Sequence, residues 1–150
     1  MSKEGRIMRI STKGRYSLEA LLYLALLPKG RYVSTREIAQ DTNLSDGYLE
    51  QLFIPLRKAG IVKGIRGPQG GYLPGKALNK IKVGDILRAA EGALEPVDCV
   101  KSKHCPMSAD CASRHTWAAL YRAINECVDS ITLADLAAAY DALDRQEYAI

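Results

Sequence analysis

Two helix-start signals stand in quick succession at Ser34 and Ser45, and they narrow the fold of this 150-residue chain more than any other feature. Ser34-Thr35-Arg36-Glu37 has the S-x-x-E form of a capping box, in which a serine oxygen and a glutamate satisfy the orphan backbone N–H groups of a helix start. A short helix is expected from there to about Gln40. Asp41-Thr42-Asn43 supplies turn chemistry. Ser45 then caps a longer amphipathic helix with the face Tyr48, Leu49, Leu52, Phe53 and Leu56, which stops at Gly60. A short helix, a tight turn and a second amphipathic helix make a helix-turn-helix.

The flanking segments complete the domain. Apolar residues are nearly continuous from Tyr16 to Leu27 and end at Pro28-Lys29-Gly30, which reads as a largely buried helix. After Gly60, Ile61–Ile65 and Tyr72-Leu73 read as strands joined by the turn Arg66-Gly67-Pro68-Gln69-Gly70-Gly71, a hairpin wing. A further helix spans about Val83 to Glu91 and is ended by Gly92. The segment from Cys99 to Cys111 has little periodicity and reads as a loop. From Ser113 to Ile131 the positions Trp117, Leu120, Tyr121, Ile124, Cys127, Val128 and Ile131 form an apolar stripe that the small preceding domain cannot cover, so a partner helix is its natural cover. Thr132-Leu133-Ala134-Asp135 resembles another helix start. The expected fold class is mainly α with a small β-wing. It has a winged helix-turn-helix domain over residues 8–92 (helix-turn-helix about 34–60, wing about 61–73) and a cysteine loop over 93–112. Dimerisation helices follow over 113–144, then a flexible tail over 145–150.

With 47% hydrophobic and 25% charged residues the chain reads as an ordinary soluble protein able to bury a core. It has neither a membrane-spanning apolar run nor the apolar stretch of a signal peptide after Met1-Ser2-Lys3-Glu4-Gly5-Arg6, so a cytoplasmic location is expected and no membrane partner. Charge is divided unevenly: residues 1–80 hold 14 Lys/Arg against 6 Asp/Glu, and residues 81–150 hold 7 against 11. The basic half is the half that would approach a polyanion, through phosphate attraction and counterion release. An enzyme is not expected: the cysteines lack the C-x-x-C spacing of a thiol-redox enzyme, and there is no Gly-rich phosphate loop or triad-like set. A winged helix used only for protein contact is the other competing class.

A helix entering the major groove of double-stranded DNA presents short or hydrogen-bonding side chains at its first turns, here Ser45, Asp46, Gly47, Glu50 and Gln51. Gln51 suits adenine, Glu50 suits the amino group of cytosine, and Gly47 lets the backbone approach. Lys13, Arg15, Arg57, Lys58 and Lys63 are candidate phosphate contacts. Arg66, a lone arginine beside glycines at the wing tip, suits a narrow minor groove. Ser34, Tyr48, Gly67 and Gln69 complete the candidate surface, although the spacing of Tyr48 also fits the core and Gly70-Gly71 suits a turn.

Cys99, Cys105 and Cys111 follow C-x5-C-x5-C in a polar segment with little core to bury them, and three soft thiolates on one loop suit an iron-sulfur cluster or zinc. A reduced compartment with metal or redox use fits them better than a disulfide framework. Cys127, on the apolar stripe of the long helix, reads as packing.

The runs Met8-Arg9-Ile10-Ser11-Thr12-Lys13-Gly14-Arg15-Tyr16, Leu44-Ser45-Asp46-Gly47-Tyr48-Leu49-Glu50-Gln51-Leu52 and Arg66-Gly67-Pro68-Gln69-Gly70-Gly71-Tyr72 resemble the winged-helix regulator family that includes IscR, CymR and NsrR. The resemblance covers about Met8 to Ala137. It implies a transcription regulator, expected to be a repressor, that is a homodimer whose long helix crosses its twin on a pseudo-palindromic operator, with Glu50, Gln51 and Arg66 as readers. It also implies cluster ligation by the three cysteines. The fourth ligand departs from both family patterns. The histidine expected at the position of Arg114 stands one residue later as His115, and the aspartate expected at the position of Arg15 is absent. His115 is the first candidate, followed by His104 and Glu19, with 2Fe-2S ahead of 4Fe-4S. A zinc site of the three cysteines and a histidine is the alternative cofactor. By the same resemblance the tail ending in Tyr148-Ala149-Ile150 implies capture of Ile150 by cysteine synthase, against the plain reading of a terminus without a partner.

Overall fold

The computed structural model describes residues 9–97 and 112–147. Helix α1 (Thr12–Ala25) begins ahead of the apolar run because Ser11, in extended backbone, accepts a hydrogen bond from the Lys13 amide. Its buried stripe of Ala20, Leu21 and Leu24 forms the spine of the core.

Helices α2 (Thr35–Asp41) and α3 (Asp46–Lys58) form the expected helix-turn-helix. Ser34 and Ser45 cap them, accepting from the Glu37 and Tyr48 amides at 3.1 and 3.2 Å. The capping box at Ser34 is only half used, because the Glu37 carboxylate turns to the guanidinium of Arg31. Pro55 lies inside α3 and is tolerated one turn before the end at Lys58. The buried face Leu49, Leu52, Phe53 and Leu56 packs with Ile38 of α2 against α1.

Strands β1 (Val62–Ile65) and β2 (Gly71–Pro74) pair antiparallel with Val62 opposite Pro74 and Ile65 opposite Gly71. Tyr72 also bridges to Val33 through bonds of 3.0 and 2.7 Å, which ties the wing to the residue just ahead of α2. Gly71 permits this, since a Cβ there would strike the Val33 backbone. The rings of Phe53 and Tyr72 stack with centroids 4.5 Å apart, so α3 and wing are packed together.

A 3-10 turn over Leu78–Lys80 leads to α4 (Val83–Glu91), which ends at Gly92 in positive φ as expected. Helices α5 (Arg114–Asp129) and α6 (Leu133–Glu147) follow. Thr132 and Asp135 cap α6 reciprocally at 2.9 and 3.1 Å, and the hydrogen bond from the Thr132 amide, with the Thr132 side chain adding to it, holds the Asp135 carboxyl below its usual range. A second cluster, Val83, Leu87 and Leu94, receives Ile124, Val128 and Ile131. One expectation is corrected. Helix α6 continues through Arg145 to Glu147, so the tail assigned from residue 145 begins in helix. Cys127 is exposed on this chain, on the stripe whose expected cover is a partner helix.

Candidate nucleic-acid interface

Because Leu49, Leu52, Phe53 and Leu56 fix the inner face of α3, the opposite face presents Asp46, Gly47, Glu50, Gln51, Ile54, Arg57 and Lys58, all exposed. Ser45 is exposed at its start, with its oxygen serving as the cap. Tyr48 is half-buried and meets Tyr16 edge to face, with centroids 5.9 Å apart, so its packing role is the one the structure displays.

Glu50 is held in place from below. The buried hydroxyl of Thr35 lies 2.8 Å from Glu50 Oε1 and also reaches Asp46 Oδ1, and its single hydrogen serves one carboxylate at a time. Burial raises the Tyr72 phenol above its usual pKa, the charge of Glu50 adds to this, and Arg57 opposes it. Glu50 and Arg57 therefore lie around the foot of the wing. An acceptor held at the surface by a buried donor is pre-organised for an incoming amino group, such as cytosine N4 in the major groove.

Arg66, Gly67, Pro68 and Gln69 form the exposed wing turn, with Gly67 at φ 114° and the Gly70 amide bonded to Gly67 O at 2.9 Å. Lys13 and Arg15 are exposed on the first turn of α1. That turn is anchored by Glu91, the last residue of α4, whose Oε1 accepts from the Ser11 amide at 2.8 Å, the Ser11 hydroxyl at 2.5 Å and the Gly14 amide at 2.8 Å. Ser34 is exposed but spends its oxygen on the α2 cap.

The metal-binding expectation falls mostly elsewhere. Cys99, Cys105, Cys111 and His104 lie outside the described residues, as does Ile150. His115 is exposed on the first turn of α5, and Glu19 is exposed on α1. The two helices that bracket the cysteine segment are bonded to each other: Arg88 of α4 donates to Asn125 at 2.8 Å and pairs with Asp129, and Asn125 donates to Leu94 O at 3.2 Å. Gly84 lets α4 approach α5, since a Cβ there would strike Asp129 and Arg88.

A helix-turn-helix with an exposed polar recognition face, a wing packed on it and a basic rim defines a winged-helix DNA-binding protein. The chain belongs to the Rrf2 family, described as iron-dependent transcriptional regulators, whose pattern it matches over residues 10–139. It is 44% identical to the HTH-type transcriptional regulator CymR of Bacillus subtilis over 134 residues, 89% of this chain and 93% of that protein. The solved structure of CymR, the global cysteine regulator of B. subtilis, superposes with a TM-score of 0.73 at 42% identity, covering 89% of this chain and 98% of that one. The structure of T. potens IscR gives 0.67 at 39% identity, covering 95% and 91%.

Thr35, Ile54, Tyr72 and Glu91 escape a reading of the sequence for interface residues. Ile54 was available from helical spacing alone, because it falls opposite the apolar face of α3. The other three act through contacts distant in sequence.

Proposed function

We propose that this regulator reads operator DNA as a homodimer and changes its affinity in response to iron-sulfur or redox status sensed at Cys99, Cys105 and Cys111, with His115 as fourth ligand. The observation that carries the reading is the double attachment of α4, the helix that leads into the cysteine segment. At its end Glu91 clamps the turn of α1 that carries Lys13 and Arg15, and through Arg88 it holds α5. Any change of state in the segment between α4 and α5 bears on both the phosphate-contacting turn and the long helix, which is what coupling between a sensor and a DNA site requires.

The donor chemistry suits the group: three thiolates with an imidazole match an iron-sulfur cluster, 2Fe-2S ahead of 4Fe-4S, and equally a zinc site. A cluster supplies reversible one-electron and loss-or-gain chemistry to such a segment. The described part of the chain supplies the readers: Glu50 and Gln51 for base edges, with Ser45, Asp46 and Gly47 at the helix start, Arg66, Gly67 and Gln69 at the wing, and Lys13, Arg15, Ser34 and Arg57 at the backbone. The pairing surface is α5 with α6. Helix α5 has no buried residue on this chain, and Leu120, Tyr140 and Leu143 are 43%, 47% and 64% exposed.

Fluorescence anisotropy against duplexes selected from a random pool tests DNA binding directly. A steep fall of affinity with salt, and loss of binding in Gln51→Ala, support the reading, while salt-independent or absent binding rejects it.

The identity to CymR favours a second reading, repression of cysteine-metabolism genes controlled by cysteine synthase at Ile150, with zinc or free thiols in the cysteine segment. Removal of the last four residues abolishes synthase binding on this reading. Unchanged affinity, or none in the intact protein, rejects it.

A further inference from the structure

We infer that Ile54 is a specificity-determining residue that recognises the 5-methyl group of a thymine in each operator half-site. The inference rests on the DNA-binding reading and extends it to a residue without polar groups.

Helical spacing places Ile54 near the middle of the outward face of α3, one turn beyond Glu50 and Gln51 and flanked by Gly47 and Lys58. It is 56% exposed, the only large apolar side chain on that face among the described residues, while every other apolar side chain of the helix is turned toward the core or half-buried. Its surroundings suit a polyanion: Arg57 and Lys58 follow it, and Lys13 of α1 lines a hollow with Gln51 and Pro55 of α3. An apolar group presented to a major groove by such a rim finds one apolar partner at the base edges, the thymine C5-methyl, whereas cytosine, adenine and guanine present only donors and acceptors there. Gly47, one helical repeat earlier on the same line, has open space around its Cα, so the backbone can approach closely enough for a branched side chain at 54 to reach a base edge. The branched, stiff isoleucine fixes where its methyl groups sit, as a register-setting contact requires.

The test uses the full chain and duplexes selected from a random pool, with each thymine of a half-site replaced in turn by deoxyuridine, which removes only the methyl group. The expected result is one position per half-site at which uracil weakens binding about 3- to 5-fold, the effect of one buried methyl. Ile54→Ala should bind the thymine and uracil duplexes equally, and Ile54→Val should restore most of the discrimination. Because Ile54 is exposed, the variants keep the wild-type melting temperature. Indifference of the wild type to every uracil, or discrimination that survives in Ile54→Ala, overturns the inference while DNA binding stands, and leaves Ile54 as a protein-contact residue. Failure to select any DNA overturns both the inference and the reading beneath it.

Discussion

Glu91 Oε1 and the Gly14 amide, 77 residues apart in sequence, are joined by a 2.8 Å hydrogen bond that seats the end of α4 on the start of α1. The same oxygen takes both donors of Ser11, so one carboxylate satisfies much of the open helix start and sits where the helix dipole favours negative charge. Gly14 is there because a Cβ would lie 2.7 Å from that oxygen.

Gly14→Ala should therefore expel the carboxylate and cost about 1–2 kcal/mol, comparable to losing a helix cap. Urea denaturation checks this, with Glu91→Ala expected to cost a similar amount and the double variant little more. Independent, additive losses would show that the two residues do not share one interaction.

Thr35→Val keeps the shape of a buried side chain and removes the donor that holds Glu50. Operator affinity is expected to fall about fivefold, near the 1 kcal/mol of one hydrogen bond, with the loss concentrated at the cytosine read by Glu50. Base-by-base substitution of the operator checks it; a uniform loss over all positions would assign Thr35 to folding alone.

Lys13, Arg15 and Arg66 are exposed, so their alanine variants should fold normally. Each of Lys13→Ala and Arg15→Ala is expected to lower the log–log salt slope of DNA binding by about one without changing sequence preference, whereas Arg66→Ala should relax preference for a narrow minor groove. Anisotropy titrations over a range of salt separate these outcomes.

Tyr23 of α1 donates to Asp41 of α2 at 2.5 Å, and its pKa is raised to about 12, first by burial and then by that bond and the charge of Asp41. A folded-state pKa above the unfolded value of 10.0 gives stability that is complete below pH 10 and lost as pH rises toward about 12. Over that window the wild type should lose more stability than Tyr23→Phe, as read by urea midpoints at each pH. Parallel curves for the two proteins would contradict it.

Local signals carry well in this chain. Ser34, Ser45 and the Thr132–Asp135 pair mark helix starts by their own chemistry, and Gly92 ends α4 where its sequence position indicates. The partnership of Glu37 with Arg31 rather than with its own cap, and the reach of Glu91 to Gly14, depend on tertiary placement that spacing cannot convey. The exposure of Glu50 and Gln51 was legible because it follows from the apolar spacing of α3. Thr35 was not, since a threonine inside a cap signal looks like helix chemistry until its hydroxyl is seen beneath Glu50. Cys127 shows the converse: its stripe was visible, but its division was not, since Ile124, Val128 and Ile131 pack toward α4 while Leu120 and Cys127 stay exposed on this chain.

The exposed part of that stripe sets the expectation for assembly. Leu120→Asp places a charge on the uncovered face of α5, and sedimentation should show a dimer for the wild type and a monomer for the variant, with operator affinity falling at least tenfold as the second half-site is lost. A variant that remains dimeric would move the interface elsewhere.

The sensing role stands or falls on the cysteine segment, and the most direct measurement is iron and sulfide content, with visible absorption and operator affinity, for anaerobically purified protein beside Cys105→Ala. The expected result is coloured wild-type protein holding iron and sulfide, whose operator affinity shifts on oxidation, and a folded, colourless variant whose affinity does not respond. Wild-type protein that stays colourless after reconstitution, or a variant that responds to oxidants like the wild type, would contradict it.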